Sequence, residues 1–197
     1  MLNKIAKRLS ELIIKKSKRK NINRLVLVYG FELLISQSII GICIVFLGLF
    51  VGCGWEAFVF LLSFGSLRIF CGGFHAATYR NCFVFSLMTA ISVLLLSTKL
   101  SRLNLIWDSV IIEAIAFWII FFLAPRQHHR HPVSKEIFFI NKKRARIVLS
   151  VQAILFVIMI EMKQMRVIYT LSLSEIAVAI LLIWPNKKLR KEKIANG

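Results

Sequence analysis

The sequence predicts an all-α, polytopic integral membrane protein. It should hold about six transmembrane helices, some short or partly re-entrant, behind an N-terminal amphipathic helix. Three observations lead there. Hydrophobic residues make up 58% of the 197, above the roughly 45–50% of soluble domains, and the mean hydropathy is +0.74. The apolar residues gather into runs close to the roughly 20 residues that a helix needs to cross a bilayer. The formal charge of +18 sits at the two ends and in one internal stretch, where cytoplasmic flanks of membrane helices carry it. That placement argues against a nucleic-acid partner, and the apolar content excludes a disordered chain. Nine Gly and three Pro exclude collagen-like and Pro-rich classes.

Residues 1–24 hold nine Lys/Arg, with Leu2, Ile5, Leu9, Leu12 and Ile13 at helical spacing. This is a basic amphipathic helix suited to an anionic leaflet. No short apolar region with a small-residue cleavage site follows, so it does not read as a signal peptide. The apolar runs follow in order: Leu25 to Gly52, about Ala57 to Phe70, Phe83 to Thr98, Leu105 to Ala124, Ile147 to about Met162, and about Val167 to Trp184. The second, third and fifth are short for full spans. Pro125 opens a basic loop expected to end near Arg146, and a basic tail closes the chain. No internal repeat is present.

Six spans with a cytoplasmic N-terminus put 23 Lys/Arg on the inner side: nine in 1–24, two in 68–80, seven in 126–146 and five in 187–193. Four remain outside: Lys99, Arg102, Lys163 and Arg166. That asymmetry predicts both termini, and the 71–82 segment, on the cytoplasmic side.

The 71–82 segment is the stretch that plain membrane packing does not explain. It reads Cys71-Gly-Gly-Phe-His75-Ala-Ala-Thr-Tyr-Arg80-Asn-Cys82, with Arg68 three residues upstream. A cysteine peptidase needs a thiolate to attack a carbonyl and an imidazole to carry the proton. His75 and Cys82 offer those groups, but spacing alone is a weak signal, and a capped helix end explains it as well. On one straight helix, residues seven apart lie about 10 Å apart along the axis. If the two side chains meet, Gly72-Gly73 and the polar 76–81 stretch must bend the chain.

The whole pattern resembles the AgrB family, membrane endopeptidases of Gram-positive quorum sensing. The matching residues are Arg68, Gly72-Gly73, His75-Ala76 and Cys82 at its seven-residue spacing. The basic amphipathic start, Leu123-Ala124-Pro125 leading into a basic stretch, and Glu175 ahead of Trp184-Pro185 extend the likeness along the chain. Arg126-Gln-His-His-Arg-His131 is a local departure from the mixed, Lys-rich turn of relatives.

The resemblance implies a nucleophile, Cys82, and a general base and acid, His75. Together they would cut the acidic C-terminal tail from an AgrD-like precursor on the cytoplasmic face of a bacterial cell membrane. An acyl-enzyme thioester would be resolved by a thiol or hydroxyl within the peptide, closing a thiolactone or lactone. The organisation then reads as the amphipathic helix 1–24, a transmembrane peptidase domain 25–185 and a basic cytoplasmic tail 186–197. Arg68, Gly72, Gly73 and Glu32 are expected to support or orient the pair. Arg80, Arg126, Arg130, Lys142, Lys143 and Arg144 are expected to meet the acidic tail. Cys82 precedes an apolar run, so a helix N-terminus and two arginines, Arg68 and Arg80, can favour negative charge on its sulfur.

The other candidates weigh less. Glu32 lies inside an apolar run, where it either orients His75 or pairs with Arg68, or else is solvated near the interface. Asp108 and Glu113 are read as solvated or helix-pairing. His128, His129 and His131 lack an acidic or thiol companion at ligand spacing, so no metal or other cofactor is expected. Cys71 is a rival nucleophile without the family spacing, and Cys43 and Cys53 are packing residues. A peptide transporter or exporter is the alternative, although such proteins usually show repeats or paired broken helices. A non-enzymatic scaffold is a third reading. Membrane lipid is an expected partner, and a homodimer is left open.

Overall fold

A computed structural model describes residues 2–16, 24–72, 79–126 and 135–183. Among these, the chain is all-helical: α1 Leu2–Lys16, α2 Arg24–Phe50, α3 Gly54–Cys71, α4 Tyr79–Leu100, α5 Ile106–Leu123, α6 Lys135–Glu161 and α7 Met165–Ile183. A short 3-10 turn, Ser101–Leu103, joins α4 to α5.

Helix α1 lies along α2, and Glu11 pairs with Arg24. Ala6 and Ser10 face inward. Ile5, Leu9, Leu12 and Ile13 form an outward apolar stripe, which gives a surface-lying helix a face for the acyl boundary.

Among the described residues, five helices are long and apolar enough to cross a membrane. They include α3, with 18 residues, and the 82–103 stretch, with 22. The second and third apolar runs thus reach spanning length once their polar ends join the helix. The fifth expected span, carried by α6, departs from the forecast. Its 27 residues begin at Lys135, so residues expected in a loop up to Arg146 are helical. The physical reason is composition: Lys and Arg are good helix formers, although they interrupt hydropathy. The charge-free part of α6 is Ile147–Ile160.

Helix α7 is the axis of the bundle and packs against α3, α4, α5 and α6. Some 72% of its span is buried, against 22–39% for the other four. Its small side chains, Thr170, Ser172, Ser174 and Ala179, are wholly buried and let neighbours approach, as packing between helices in lipid requires. The apolar side chains of α2 and α4, such as Phe46, Leu49, Val84 and Met88, point outward, where lipid is the natural solvent.

One end of the bundle is tied by Glu56 to Arg166 at 3.7 Å. Tyr169 Oη donates to the Leu105 carbonyl at 2.7 Å nearby. Trp55 and Trp107 stand exposed at this end, as an interfacial aromatic belt does. Midway along, Gln152 Nε2 of α6 donates to Ser63 O at 3.1 Å and Ser66 Oγ at 3.0 Å, holding α6 to α3. The opposite end of the bundle carries the residues of chemical interest.

Candidate active site

Helix α3 ends at Cys71 because Gly72 turns left-handed, with φ of +66°. Side chains other than Gly rarely accept that region. A second constraint acts on the same residue. The chain leaving α5 returns here, and Arg126 N–H donates to the Cys71 carbonyl at 2.9 Å. Gly72 and Arg126 form an isolated bridge. A Cβ on Gly72 would sit 2.6 Å from the Arg126 carbonyl oxygen. The Arg126 guanidinium also donates to the Leu182 carbonyl at the end of α7. Three helix ends are thus fastened at one point.

Cys82 is the fourth residue of α4, which starts at Tyr79. It is half-buried. The first turns of a helix carry unpaired backbone N–H groups and the positive end of its dipole. Arg68, in the last turn of α3, lies within electrostatic reach of both Cys82 and Cys71. Residues 72–82 therefore do not form one straight helix: the chain leaves α3 at Gly72 and re-enters a helix at Tyr79. His75 and Gly73, with 74 and 76–78, lie outside the described residues. So do Arg130 and the three histidines His128, His129 and His131, and the expectations placed on them fall outside the described residues as well. Arg80 is on the first turn of α4, and nothing is described of its side chain.

Cys71 is fully buried, with Arg68 and Glu175 of α7 both within electrostatic reach. Cys53 is buried, with Sγ 3.6 Å from Thr98 Oγ1. Cys43 and Glu32 are half-buried in α2. Among the described residues no group of three or more His, Cys, Asp or Glu could hold a metal ion.

The basic residues expected to meet substrate separate in space. Arg144 reaches back over the Phe70 ring of α3 at 5.9 Å, beside the Cys71–Gly72 corner. Lys142 and Lys143 line a groove on another side of α6. Arg126 is committed to the backbone contacts above.

One feature was not legible beforehand. Glu113 of α5 and Glu175 of α7 are buried, and their carboxyl groups stand within reach of each other. No other hydrogen-bond partner reaches them among the described residues. Asp108, five residues before Glu113, is exposed and in the first turn of α5, where a negative charge suits the helix dipole.

Comparison with known proteins places this arrangement. The profile described as accessory gene regulator B (AgrB) matches residues 2–184. AgrB-like protein 2 of Clostridium perfringens strain 13 is 25% identical over 141 residues, covering 69% of this chain and 66% of that protein. An AgrB-like protein of C. perfringens strain SM101 is 24% identical over 141 residues, with the same coverage. AgrB-like protein 1 of strain 13 is 30% identical over 126 residues, 64% of each chain. The chain thus spans just under two thirds of the length of these relatives. No solved structure matches it.

Proposed function

The chain belongs to the AgrB family, and on that premise we propose that it is a membrane cysteine endopeptidase of a quorum-sensing system. Its substrate is an AgrD-type precursor with an acidic C-terminal tail, met on the cytoplasmic face. Both termini lie on that face, as the 23-to-4 split of basic residues favours.

The observation that carries the reading is the setting of Cys82. It is half-buried near the start of α4, and the Arg68 charge lies within electrostatic reach. A sulfur nucleophile needs a positive, partly accessible environment of this kind.

The steps balance as follows. Cys82 Sγ gives its proton to His75 and attacks the scissile carbonyl. The peptide C–N bond breaks, the tail amine leaves with the proton from His75, and a thioester remains on Cys82. A thiol or hydroxyl inside the bound peptide then gives its proton to His75 and attacks the thioester carbonyl. The C–S bond to Cys82 breaks, the ring closes as a thiolactone or lactone, and the Cys82 thiolate recovers its proton. Exclusion of water keeps hydrolysis from competing. Gly72 and Gly73 supply the bend, while Arg68 and Glu32 orient the reacting pair. Arg144, beside the Cys71–Gly72 corner, and Arg80 and Arg130 receive the acidic tail.

A second reading has one observation in its favour. The Glu113–Glu175 pair inside the bundle is the sort of intramembrane ionisable group that transporters use. Purified protein incubated with labelled precursor separates the two. The peptidase releases the tail and carries a peptide adduct on Cys82, whereas a transporter moves intact peptide across a vesicle membrane and forms no adduct.

A further inference from the structure

One face of α6 has no part in the chemistry above. Phe139, Lys142, Lys143, Arg146, Val151 and Ile154 line an open groove of about 570 Å³. They recur at helical spacing, so three cations at one end lead into an apolar slot. Arg146 lies over the Phe121 ring of α5 at 4.3 Å, and its Nε has no hydrogen-bond partner among the described residues. No acidic side chain lines the groove.

Of the eight acidic residues among those described, none lines the groove or forms an ion pair with these three cations. Outside the described residues the sequence contains a single acidic residue, Glu192, within a run of lysines and arginines. A second copy seated face to face would set the same three cations against each other. The counter-charge must come from another molecule, and the slot below the cations asks for an apolar one. Eight residues separate Arg146 from Ile154, about 12 Å along a helix. The hydrocarbon of one leaflet is about 15 Å deep.

We propose that this groove is a binding site for an anionic glycerophospholipid. Its phosphate is held by Lys142, Lys143 and Arg146, and one acyl chain lies along Val151 and Ile154. A purely acidic peptide would satisfy the cations and leave the slot unused. The site is independent of the peptidase reading.

The test uses the full chain in detergent micelles doped with equal amounts of phosphatidylglycerol and phosphatidylcholine, read by native mass spectrometry. The wild-type chain retains phosphatidylglycerol in preference. Two cations near the membrane surface each favour anionic lipid, so Lys142→Gln with Lys143→Gln lowers that preference about tenfold. Val151→Trp fills the slot and lowers retention of both lipids while every charge stays. Equal retention of the two lipids by the wild-type chain overturns the proposal. So does an unchanged preference in the double variant, or unchanged retention in Val151→Trp. A double variant that loses only a dimer mass assigns the face to a second copy. One that loses only precursor binding assigns it to the acidic peptide. Either result also overturns the lipid site.

Discussion

Arg126 lies so close to Gly72 that a single added carbon at Gly72 would meet its carbonyl oxygen at 2.6 Å. The obstacle is backbone, and the backbone is held by the hydrogen bond from Arg126 N–H to Cys71 O.

Gly72→Ala should therefore cost more than its positive φ alone, which is about 1–3 kcal/mol for an ordinary side chain. The expected loss is about 2–4 kcal/mol in thermal or denaturant unfolding in detergent, because the end of α5 must also move. Tail release should fall with it. Gly65→Ala is the control: it lies within α3, and nothing stands within 4 Å of its new Cβ. Its stability should be unchanged or slightly raised. Equal damage from the two substitutions would remove Gly72 from any special role.

The Glu113–Glu175 pair makes a different prediction. Two carboxyl groups facing each other in a low-dielectric interior repel if both are charged. A neutral amide of the same shape should serve as well as either acid. Glu113→Gln and Glu175→Gln should keep the melting midpoint near or above that of the wild type. Glu175→Leu leaves Glu113 buried without a partner and should cost about 1–3 kcal/mol. A Gln variant as damaging as the Leu variant would show that a negative charge is needed there.

Burial orders the cysteines. Cys82 and Cys43 are half-buried, while Cys53 and Cys71 are buried. Cys43, however, lies within the Gly30–Phe50 span, where hydrocarbon disfavours the reactive thiolate, so a small maleimide should label Cys82 well before the other three. Replacing Cys43, Cys53 and Cys71 together with Ala should leave cleavage largely intact. Loss of cleavage on replacing Cys71 alone, with folding retained, would reopen it as the nucleophile.

Much of the fold can be read from hydropathy. The helix centres and the break after Cys71 follow from apolar runs and from the Gly pair. What escapes is what depends on distant parts of the chain. The length of α6 is hidden because Lys142, Lys143, Arg144 and Arg146 break the apolar run without breaking the helix. The closure of Arg126 on Gly72 joins positions 54 residues apart, and no local pattern announces it. Glu113 reads as solvated or helix-pairing with no partner named, and Glu175 as one feature of the family likeness; packing of α5 on α7 makes them a pair. Of the candidate site, Arg68 and Cys82 lie within electrostatic reach, whereas the four tail-meeting basic residues whose side chains are described divide between two sides of α6 and the backbone contacts of Arg126.

That division gives a test of substrate capture. Attraction between an acidic tail and a basic face speeds encounter and weakens with salt. Arg144→Gln should weaken precursor binding severalfold at low salt and flatten its salt dependence. Lys142→Gln with Lys143→Gln should affect it less. The opposite order, in fluorescence binding assays with correct topology verified, would move the tail to the groove face of α6.

The central claim is that Cys82 carries the peptide through a covalent thioester. The direct measurement is acid-trapped mass spectrometry of the purified chain after brief incubation with labelled precursor, alongside Cys82→Ser and His75→Ala. The account predicts an adduct on Cys82 equal in mass to the precursor without its tail. Neither variant should form a thioester adduct or release the tail. Tail release that persists in Cys82→Ser, or an adduct mapped to Cys71, would contradict it.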